Sequence, residues 1–268
     1  MDRKIGLQLY SLRKILDVEN FDEVLDQIGE IGYDGVEFYK FYDKPASEVK
    51  AVLEDCELES VSSHVGIDEL RENLDDTLEY HKKIGCDTII VPYLSAKNFE
   101  SKSAIRKTSN ELSEMADELN NRGFDLGYHN HFHEFFTLDG VTALEALMKE
   151  VPDSVGLQPD VGHIRRGGID PISLLKKLDN RFVSFHIKDI ESKEGVDVQL
   201  GGRELTVEEA EELGEKLEDV RLGNGIIDLP GIVDFGEKLN VSWFIVEDES
   251  AEDPLEAVDI DYRYLDSL

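Results

Sequence analysis

Short apolar runs alternate with amphipathic helical segments along the whole chain, eight times over. The runs cover residues 4–10, 35–38, 58–63, 88–91, a stretch that begins at 124, 155–157, 182–187 and 241–246. Between the first two runs, apolar residues stand at positions 21, 24, 25, 28 and 31, which is the spacing of one helix face. Strands that alternate with helices indicate an α/β protein with a parallel sheet.

Eight strand–helix units in 268 residues, with no obvious linker, predict a (β/α)8 TIM barrel that spans residues 1–268 as a single domain. The structural rival is an open, doubly wound sheet, which holds a pyrophosphate on a glycine cluster after its first strand. Here that turn reads Tyr10-Ser11-Leu12-Arg13 and contains no glycine. The barrel is therefore the better prediction.

One segment interrupts the alternation, at about residues 190–224, after the seventh predicted strand. It includes an acidic helical stretch near residues 207–217. Connections of this length are uncommon in compact domains and often serve as lids over active sites, although a peripheral excursion is an equal alternative. We treat this segment as an insert in the barrel.

The chain is strongly acidic, with 60 Asp and Glu against 28 Lys and Arg and a net charge of −32. Because 40% of its residues are hydrophobic, the composition indicates a folded core under an acidic surface and not a disordered chain. Such surfaces resemble those of proteins from salt-loving cytoplasms, where concentrated salt screens the repulsion. We therefore expect a halophilic protein, with an ordinary acidic protein as the alternative. The same charge argues against nucleic-acid partners.

The two cysteines, Cys56 and Cys86, lack the spacing of a metal site and are expected to be reduced thiols. The first residues lead into a strand with no visible signal peptide, and no apolar run approaches the length of a membrane span. These features predict a cytoplasmic protein without a membrane partner.

Residues that can bind a metal or transfer a proton stand at the ends of the predicted strands. In a barrel these ends share one rim, where active sites are built. Of the seven histidines, only His81 falls inside a predicted helix. The rim candidates are His64, Glu134, Asp160, His163, His186, Lys188 and Glu247, with Glu37 as a further member. A set rich in carboxylates suits Mn2+, Mg2+ or Co2+ better than a structural zinc.

Motifs along nearly the whole chain resemble the xylose-isomerase-like barrel superfamily, in its sugar phosphate isomerase/epimerase branch, which includes relatives of inosose dehydratase and hydroxypyruvate isomerase. They are GLQLYSLR at 6–13, GYDGVEF at 32–38, HNHFHEF at 129–135, DVGH at 160–163, HIKD at 186–189, VE at 246–247 and YL at 264–265. The resemblance implies one divalent metal ion, with zinc the less suitable choice. It implies Glu134, Asp160, His186 and Glu247 as the metal ligands. It also implies His163 and Lys188 as substrate contacts, with His64 and His131 as further ones.

The resemblance further implies an isomerase or epimerase of a sugar or keto-sugar, phosphorylated or not. One of Glu134 and Glu247 would remove the proton beside the carbonyl, giving an enediolate, and the other would return a proton. Expulsion of a hydroxyl from the same intermediate would instead make the protein an inosose-dehydratase-type lyase acting on a keto-inositol. A homo-oligomer is left open, since such barrels are frequently dimers or tetramers.

The same fold could also serve an AP endonuclease or a sugar-binding protein without catalysis. An AP endonuclease needs further histidines for three zinc ions, but the fourth predicted strand ends in Pro92-Tyr93 and no histidine follows His186. That activity is therefore disfavoured. A non-catalytic sugar-binding barrel would not need the intact set of ligands. The glycine turn at residues 223–225 and the pair Arg165-Arg166 could hold a phosphate or serve the fold alone.

Overall fold

The structure of the protein is a computed structural model, and it describes residues 3–178, 181–192, 206–249 and 251–268. Eight parallel strands make one sheet, and we number them first to eighth along the chain. They are Lys4–Gln8, Gly35–Phe38, Glu59–His64, Thr88–Val91, Asp125–His129, Val155–Gln158, Phe185–Ile187 and Trp243–Val246.

The sheet curls into a barrel because its first strand pairs with its last. Leu7 of the first strand lies opposite Val246 of the eighth. Between the sixth and seventh strands, isolated parallel bridges join Leu157 to Phe182 and Asp160 to His186. The predicted single-domain (β/α)8 architecture of the fold is thus confirmed.

Helices connect the strands and surround the barrel. They are Phe21–Ile31, Ala46–Asp55, Ile67–Ile84, Lys102–Asn120, Ala143–Glu150, Val161–Arg166, Pro171–Leu175, Val207–Gly214, Leu229–Lys238 and Pro254–Asp266. Several begin at a polar side chain that accepts a hydrogen bond from a free amide of the first turn, as Ser101 does from Ala104 N. Such caps stabilise a helix by about 1 kcal/mol each. None of the helices within the described ranges is long and apolar enough to cross a bilayer.

Local turns shift several predicted boundaries. The first strand ends at Gln8 and not at residue 10, because the Gln8 side chain accepts from Tyr10 N and starts a short 3-10 turn, Leu9–Leu12. The seventh strand begins at residue 185 and not at 182. The helix Val161–Arg166 was not predicted, since six residues are too few to show a helical period.

The base of the insert is folded against the barrel. Its ends form an antiparallel hairpin, Asp189–Ser192 with Leu217–Val220. Arg166 donates to the carbonyl oxygens of Gly214 and Leu217, at 3.3 and 3.1 Å, and to Asp219 Oδ1 at 2.8 Å. Residues 193–205, which belong to the predicted insert, lie outside the described residues. A lid role for the insert stays a prediction.

Candidate active site

Glu37 is the centre of a buried polar network inside the barrel. Its side chain has no exposed surface. Gln8 Nε2 donates to Glu37 Oε1 at 2.7 Å, while the Ser62 hydroxyl and Gln158 Nε2 donate to Oε2. The register explains this arrangement, since Gln8 lies opposite Glu37 in the neighbouring strand. A buried carboxylate is tolerated only when it is fully paired, so these residues hold Glu37 in one orientation.

His186 lies between two carboxylates. Its Nε2 is 2.6 Å from Glu37 Oε1 and its Nδ1 is 3.0 Å from Glu247 Oε2. Burial lowers the pKa of His186, but the charge of Glu37 and the hydrogen bonds to both carboxylates raise it to about 10. A carboxylate on one ring nitrogen fixes the orientation of the imidazole and leaves the other nitrogen for a metal ion. In His186, Nε2 is bound to Glu37, and Nδ1, beside Glu247, is the nitrogen that a metal ion could bind.

Four buried side chains bring their ligand atoms within 4.8 Å of one another: His129, Asp160, His186 and Glu247. The Oδ2 atom of Asp160 has no hydrogen-bond partner in the described ranges. It lies 3.9 Å from His129 Nε2 and 3.9 Å from His186 Nδ1. Burial raises the pKa of Asp160 to about 6, against the opposing effect of Lys188. Two carboxylates and two imidazoles fit a divalent cation, which would supply the partner that Asp160 Oδ2 lacks.

Three of the four ligands implied by the resemblance, Asp160, His186 and Glu247, are therefore together. His129 was missed, although it stands in the conspicuous HNHFHEF stretch. It ends the fifth strand opposite Gln158, and its Nδ1 is 3.2 Å from Gln158 Oε1. The short run of histidines did not indicate which of them the strand would direct into the barrel.

Glu134, the fourth implied ligand, does not join this group in the described part of the chain. It lies in a short 3-10 turn, Phe132–Glu134, where its Oε1 accepts from the Tyr128 hydroxyl at 2.5 Å and from His131 N at 3.0 Å. Its other oxygen, Oε2, is buried with no hydrogen-bond partner among the described residues. Burial raises the pKa of Glu134 to about 8. Its metal-binding and catalytic roles stay predictions.

We call the set His129, Asp160, His186 and Glu247 the ligand group. A cavity of about 540 Å³ lies beside it, and we call this space the active-site cavity. Its lining includes all four predicted substrate contacts, His64, His131, His163 and Lys188, together with Glu247. The remaining lining residues are Tyr10, Tyr39, Gly66, Pro92, Tyr93, His129 and Glu249. The structure thus places the predicted substrate contacts on one surface.

Two histidines of the cavity wall, His131 and His163, are kept uncharged by their surroundings. His131 and His163 stack with ring centroids 4.5 Å apart. Burial, together with the charge of Lys188, lowers the pKa of His131 to about 3 and that of His163 well below its usual range. Neither Nδ1 atom has a hydrogen-bond partner in the described portion of the protein. Neutral imidazoles can exchange hydrogen bonds with sugar hydroxyls without adding charge to the cavity.

Lys188 provides a positive charge in the wall of the active-site cavity, and only 2% of its surface is exposed. Its Nζ lies 2.8 Å from Glu249 Oε1, 3.2 Å from Glu247 Oε2 and 3.6 Å from Asp160 Oδ2. Burial lowers the pKa of Lys188, but these carboxylates raise it well above its ordinary value. The ammonium group is therefore held charged beside the ligand group.

The glycine turn and Arg166, two of the weaker phosphate candidates, are already engaged within the fold. The carboxylate of Asp189 accepts hydrogen bonds from the amides of Gly223, Gly225 and Ile227, so the glycine turn already holds an anion of the chain itself. Arg166 is bound to the base of the insert, as described above. The glycine turn and Arg166 therefore serve the fold.

Comparison with known proteins agrees with the barrel fold. A family profile described as "Xylose isomerase-like TIM barrel" matches residues 25–268. The chain belongs to this family. Inosose dehydratase of Bacillus thuringiensis (strain Al Hakam) is 26% identical over 281 residues, covering 92% of this chain and 88% of the relative. Inosose dehydratase of Geobacillus kaustophilus is 27% identical over 192 residues, covering 63% of this chain and 62% of the relative. A sugar phosphate isomerase/epimerase from Parabacteroides distasonis superposes with a TM-score of 0.78 at 20% identity, over 99% of this chain and 98% of that one.

In this xylose isomerase-like barrel, Glu37→Gln is expected to weaken divalent-metal binding by about 10- to 100-fold, the usual cost of losing a group that orients a metal-binding histidine. The glutamine keeps the size of the side chain but loses the charge that holds His186 Nε2, and its amide group faces other donors. We also expect a loss of about 1–3 kcal/mol in the free energy of unfolding.

Calorimetric titration with Mn2+ and thermal melting would measure both effects. The matched control is Glu59→Gln, which changes an exposed carboxylate at the start of the third strand that pairs with Lys4. We expect wild-type metal affinity for the control. Wild-type affinity in folded Glu37→Gln would contradict the orienting role.

Proposed function

We propose that the protein is a divalent-metal-dependent isomerase or epimerase of a keto-sugar, which moves a proton at the carbon beside the carbonyl. The observation that carries the proposal is the convergence of Asp160, His186 and Glu247 at the base of a cavity whose wall offers Lys188 and neutral histidines. Carboxylates, an ammonium group and uncharged imidazoles together can bind a polyhydroxylated carbonyl compound and transfer its protons.

One ion of Mn2+, Mg2+ or Co2+ is the proposed cofactor, with Zn2+ less suitable for an oxygen-rich set. We propose Glu134 as the fourth ligand beside Asp160, His186 and Glu247, because its Oε2 is buried and lacks a hydrogen-bond partner in the described residues. His129 is the alternative, because its ligand atom already lies with the other three. When bound, the cation would polarise the substrate carbonyl.

The two assignments of the fourth ligand make opposite predictions for a pair of variants. If Glu134 is the ligand, Glu134→Gln lowers Mn2+ affinity by more than about 100-fold, beyond the usual effect of a supporting residue, while His129→Gln has a smaller effect. Titration of both folded variants by calorimetry decides between them. A larger loss of Mn2+ affinity in His129→Gln than in Glu134→Gln would identify His129 as the fourth metal ligand.

The protein's own groups have distinct tasks in the proposed reaction. Glu247 accepts the proton beside the carbonyl or returns it, and Glu134 takes the complementary step. Burial raises the pKa of Glu247, but Lys188 and His186 hold it well below its usual range, so this carboxylate is ionised and has a free lone pair to accept a proton. Lys188 donates hydrogen bonds to the substrate oxygen that gains negative charge. The neutral His131 and His163 orient the hydroxyl groups.

The charge of the cavity favours an unphosphorylated substrate. Its charged wall residues in the described structure are Lys188, Glu247 and Glu249, and the lysine is already paired with carboxylates. A phosphate group would bring about two more negative charges to this wall without a free cation to receive it. We therefore propose an uncharged keto-sugar as the substrate class.

Dehydration is the second candidate function, favoured by relatives that are named inosose dehydratases. The same first proton transfer would then be followed by departure of a hydroxyl from the neighbouring carbon. The test is product analysis by 13C NMR, after incubation of metal-loaded protein with a panel of ketoses, hydroxypyruvate and inosose. A product isomeric with its substrate supports the isomerase or epimerase, and a product that has lost water supports the lyase. No product from any substrate would favour a non-catalytic sugar-binding barrel.

We also propose that the protein works in a salt-rich cytoplasm, since its net charge of −32 needs screening. Raising the KCl concentration from about 0.1 to about 2 M should raise the melting temperature by about 10 °C, corresponding to a few kcal/mol for a chain of this size. Sucrose at the same osmolality is the control, because it stabilises proteins by exclusion without screening charge. Equal melting temperatures at both KCl concentrations would contradict the adaptation to salt.

A further inference from the structure

A second cavity, of about 550 Å³, adjoins the active-site cavity. It lies between the turns that follow the second and third strands and the helix Ile67–Ile84. The two cavities share Tyr39, His64 and Gly66 in their walls. The two spaces therefore meet at these three residues.

Aromatic rings form one wall of the second cavity. Phe41 and Tyr80 lie with ring centroids 4.3 Å apart, and both side chains are only partly buried. Tyr39 completes this wall on the side of the active-site cavity. The faces of pyranose rings carry C–H groups with partial positive charge, which pack favourably on the electron-rich faces of aromatic rings.

Polar side chains continue the lining along the helix face that also carries Tyr80. Glu69, Asn73, Asp76 and Thr77 follow the spacing of a single face of the helix Ile67–Ile84. The helix departs from helical geometry at Asn73, where φ is −132°, beside the cavity. Two carboxylates, an amide and a hydroxyl can bind several sugar hydroxyl groups. The two carboxylates outnumber Lys40, the lysine of this lining, so the second cavity favours an uncharged ring over a phosphate.

His81 provides a buried acceptor in the same cavity. It is only 2% exposed, and its Nδ1 lies 2.6 Å from the carbonyl oxygen of Thr77. Because a carbonyl only accepts hydrogen bonds, Nδ1 carries the proton and Nε2 is a bare acceptor. That Nε2 has no hydrogen-bond partner in the described structure. A buried acceptor without a donor is costly, so a hydroxyl group bound in the cavity would relieve a deficit already present in the fold.

We propose that the second cavity binds the second ring of a glycoside, while the keto ring that reacts occupies the active-site cavity. The inference rests on the proposed function and narrows its substrate class to two-ring keto-sugars without phosphate. The second ring packs on Tyr80 and Phe41, donates a hydroxyl to His81 Nε2, and shares its other hydroxyls with the polar helix face.

Steady-state kinetics on one-ring and two-ring substrates test the proposal. We would compare methyl 3-keto-glucoside with 3-ketomaltose, using the metal-loaded wild-type protein and the variants Tyr80→Ala and His81→Leu. The wild-type protein should prefer 3-ketomaltose in kcat/KM by about tenfold or more, the worth of one ring-packing contact and one hydrogen bond. Each variant should raise KM for 3-ketomaltose by up to about tenfold and leave the one-ring substrate unchanged.

The matched control is Tyr93→Ala, since Tyr93 lines the active-site cavity but not the second one. It should change the kinetics of both substrates by the same factor. Equal use of both substrates by the wild-type protein, or an equal loss on both in Tyr80→Ala, would overturn the second-ring site and leave the proposed function intact.

Binding of unreactive maltose separates this inference from the proposed function. Saturation-transfer NMR should show contacts to both glucose rings in the wild-type protein, and contacts to one ring only in Tyr80→Ala. That result without turnover of any keto-sugar would contradict the proposed chemistry while supporting the second site. Turnover of one-ring substrates with maltose contacts to a single ring in both proteins would overturn the second site alone.

Discussion

Glu247→Gln is expected to reduce proton transfer by at least about 10³-fold, because it removes both the proposed base and a proposed metal ligand. General acid–base catalysis by one such group typically contributes about 10²- to 10⁴-fold to the rate. Glu247 belongs to the proposed ligand set whether Glu134 or His129 completes it. Its Oε2 accepts from His186 at 3.0 Å and lies 3.2 Å from Lys188. Glutamine keeps the shape of the side chain but provides neither the negative charge nor a basic oxygen.

The fold should tolerate this change, because Lys188 keeps two other carboxylates, Glu249 and Asp160. Turnover, metal content and thermal melting are the three measurements. Glu249→Gln is the matched control: it also removes a carboxylate paired with Lys188, at 2.8 Å, but lies outside the ligand group. We expect the control to keep its metal and to lose far less activity. Equal losses in the two variants would contradict a specific role for Glu247.

Asp160→Asn should separate metal binding from stability. The Oδ1 atom of Asp160 accepts from His163 N at 2.6 Å and so caps the helix Val161–Arg166, whereas its Oδ2 lacks a hydrogen-bond partner in the described residues. Asparagine caps helices as well as aspartate does, so stability should change by less than about 0.5 kcal/mol. Metal affinity should fall by more than about 100-fold, since a ligand is lost and not merely a group that supports one.

Asp160→Ala completes the comparison, because it removes the cap as well and should cost about 1 kcal/mol of stability in addition. Asp170→Asn is the control: Asp170 caps the helix Pro171–Leu175 through Ser173 N at 2.8 Å and contributes nothing to the ligand group. It should alter neither stability nor metal affinity. Wild-type metal affinity in Asp160→Asn would remove Asp160 from the ligand set.

The sequence was informative where one simple rule brings together residues that are far apart in the chain. Parallel strands in a barrel end at a common rim, so polar residues at the strand ends predicted the meeting of Asp160, His186, Lys188 and Glu247. Such a prediction needs only strand order and approximate strand ends. It therefore survived errors of two or three residues at several boundaries.

Residues whose positions depend on a local turn or on register were not predictable in this way. The 3-10 turn Phe132–Glu134 directs Glu134 back to Tyr128 and His131, while strand register brings His129 to Gln158. A turn of three residues and the register of a short strand leave no periodic pattern in the sequence from which these positions could be predicted.

The same limit applies to the network around Glu37 and to the second cavity. Gln8, Ser62 and Gln158 are ordinary polar residues in the sequence, and they meet Glu37 only because four strands of the barrel bring them inward. Tyr39 and Phe41 follow the second strand and Tyr80 belongs to the helix Ile67–Ile84, so their common wall appears only when Tyr80 packs on Phe41. Non-local packing, and not local propensity, creates these features.

Deuterium incorporation is the most direct test of the central claim, that a metal-dependent site moves a proton at the carbon beside a carbonyl. Metal-stripped protein would be reloaded with Mn2+ in D2O and high KCl, and incubated with the keto-sugar substrates while proton NMR is recorded. We predict loss of the proton signal at that carbon with the reloaded protein, and none with the stripped protein or with Glu247→Gln. Exchange at the same rate in all three samples, or in none of them across the whole panel, would contradict the account.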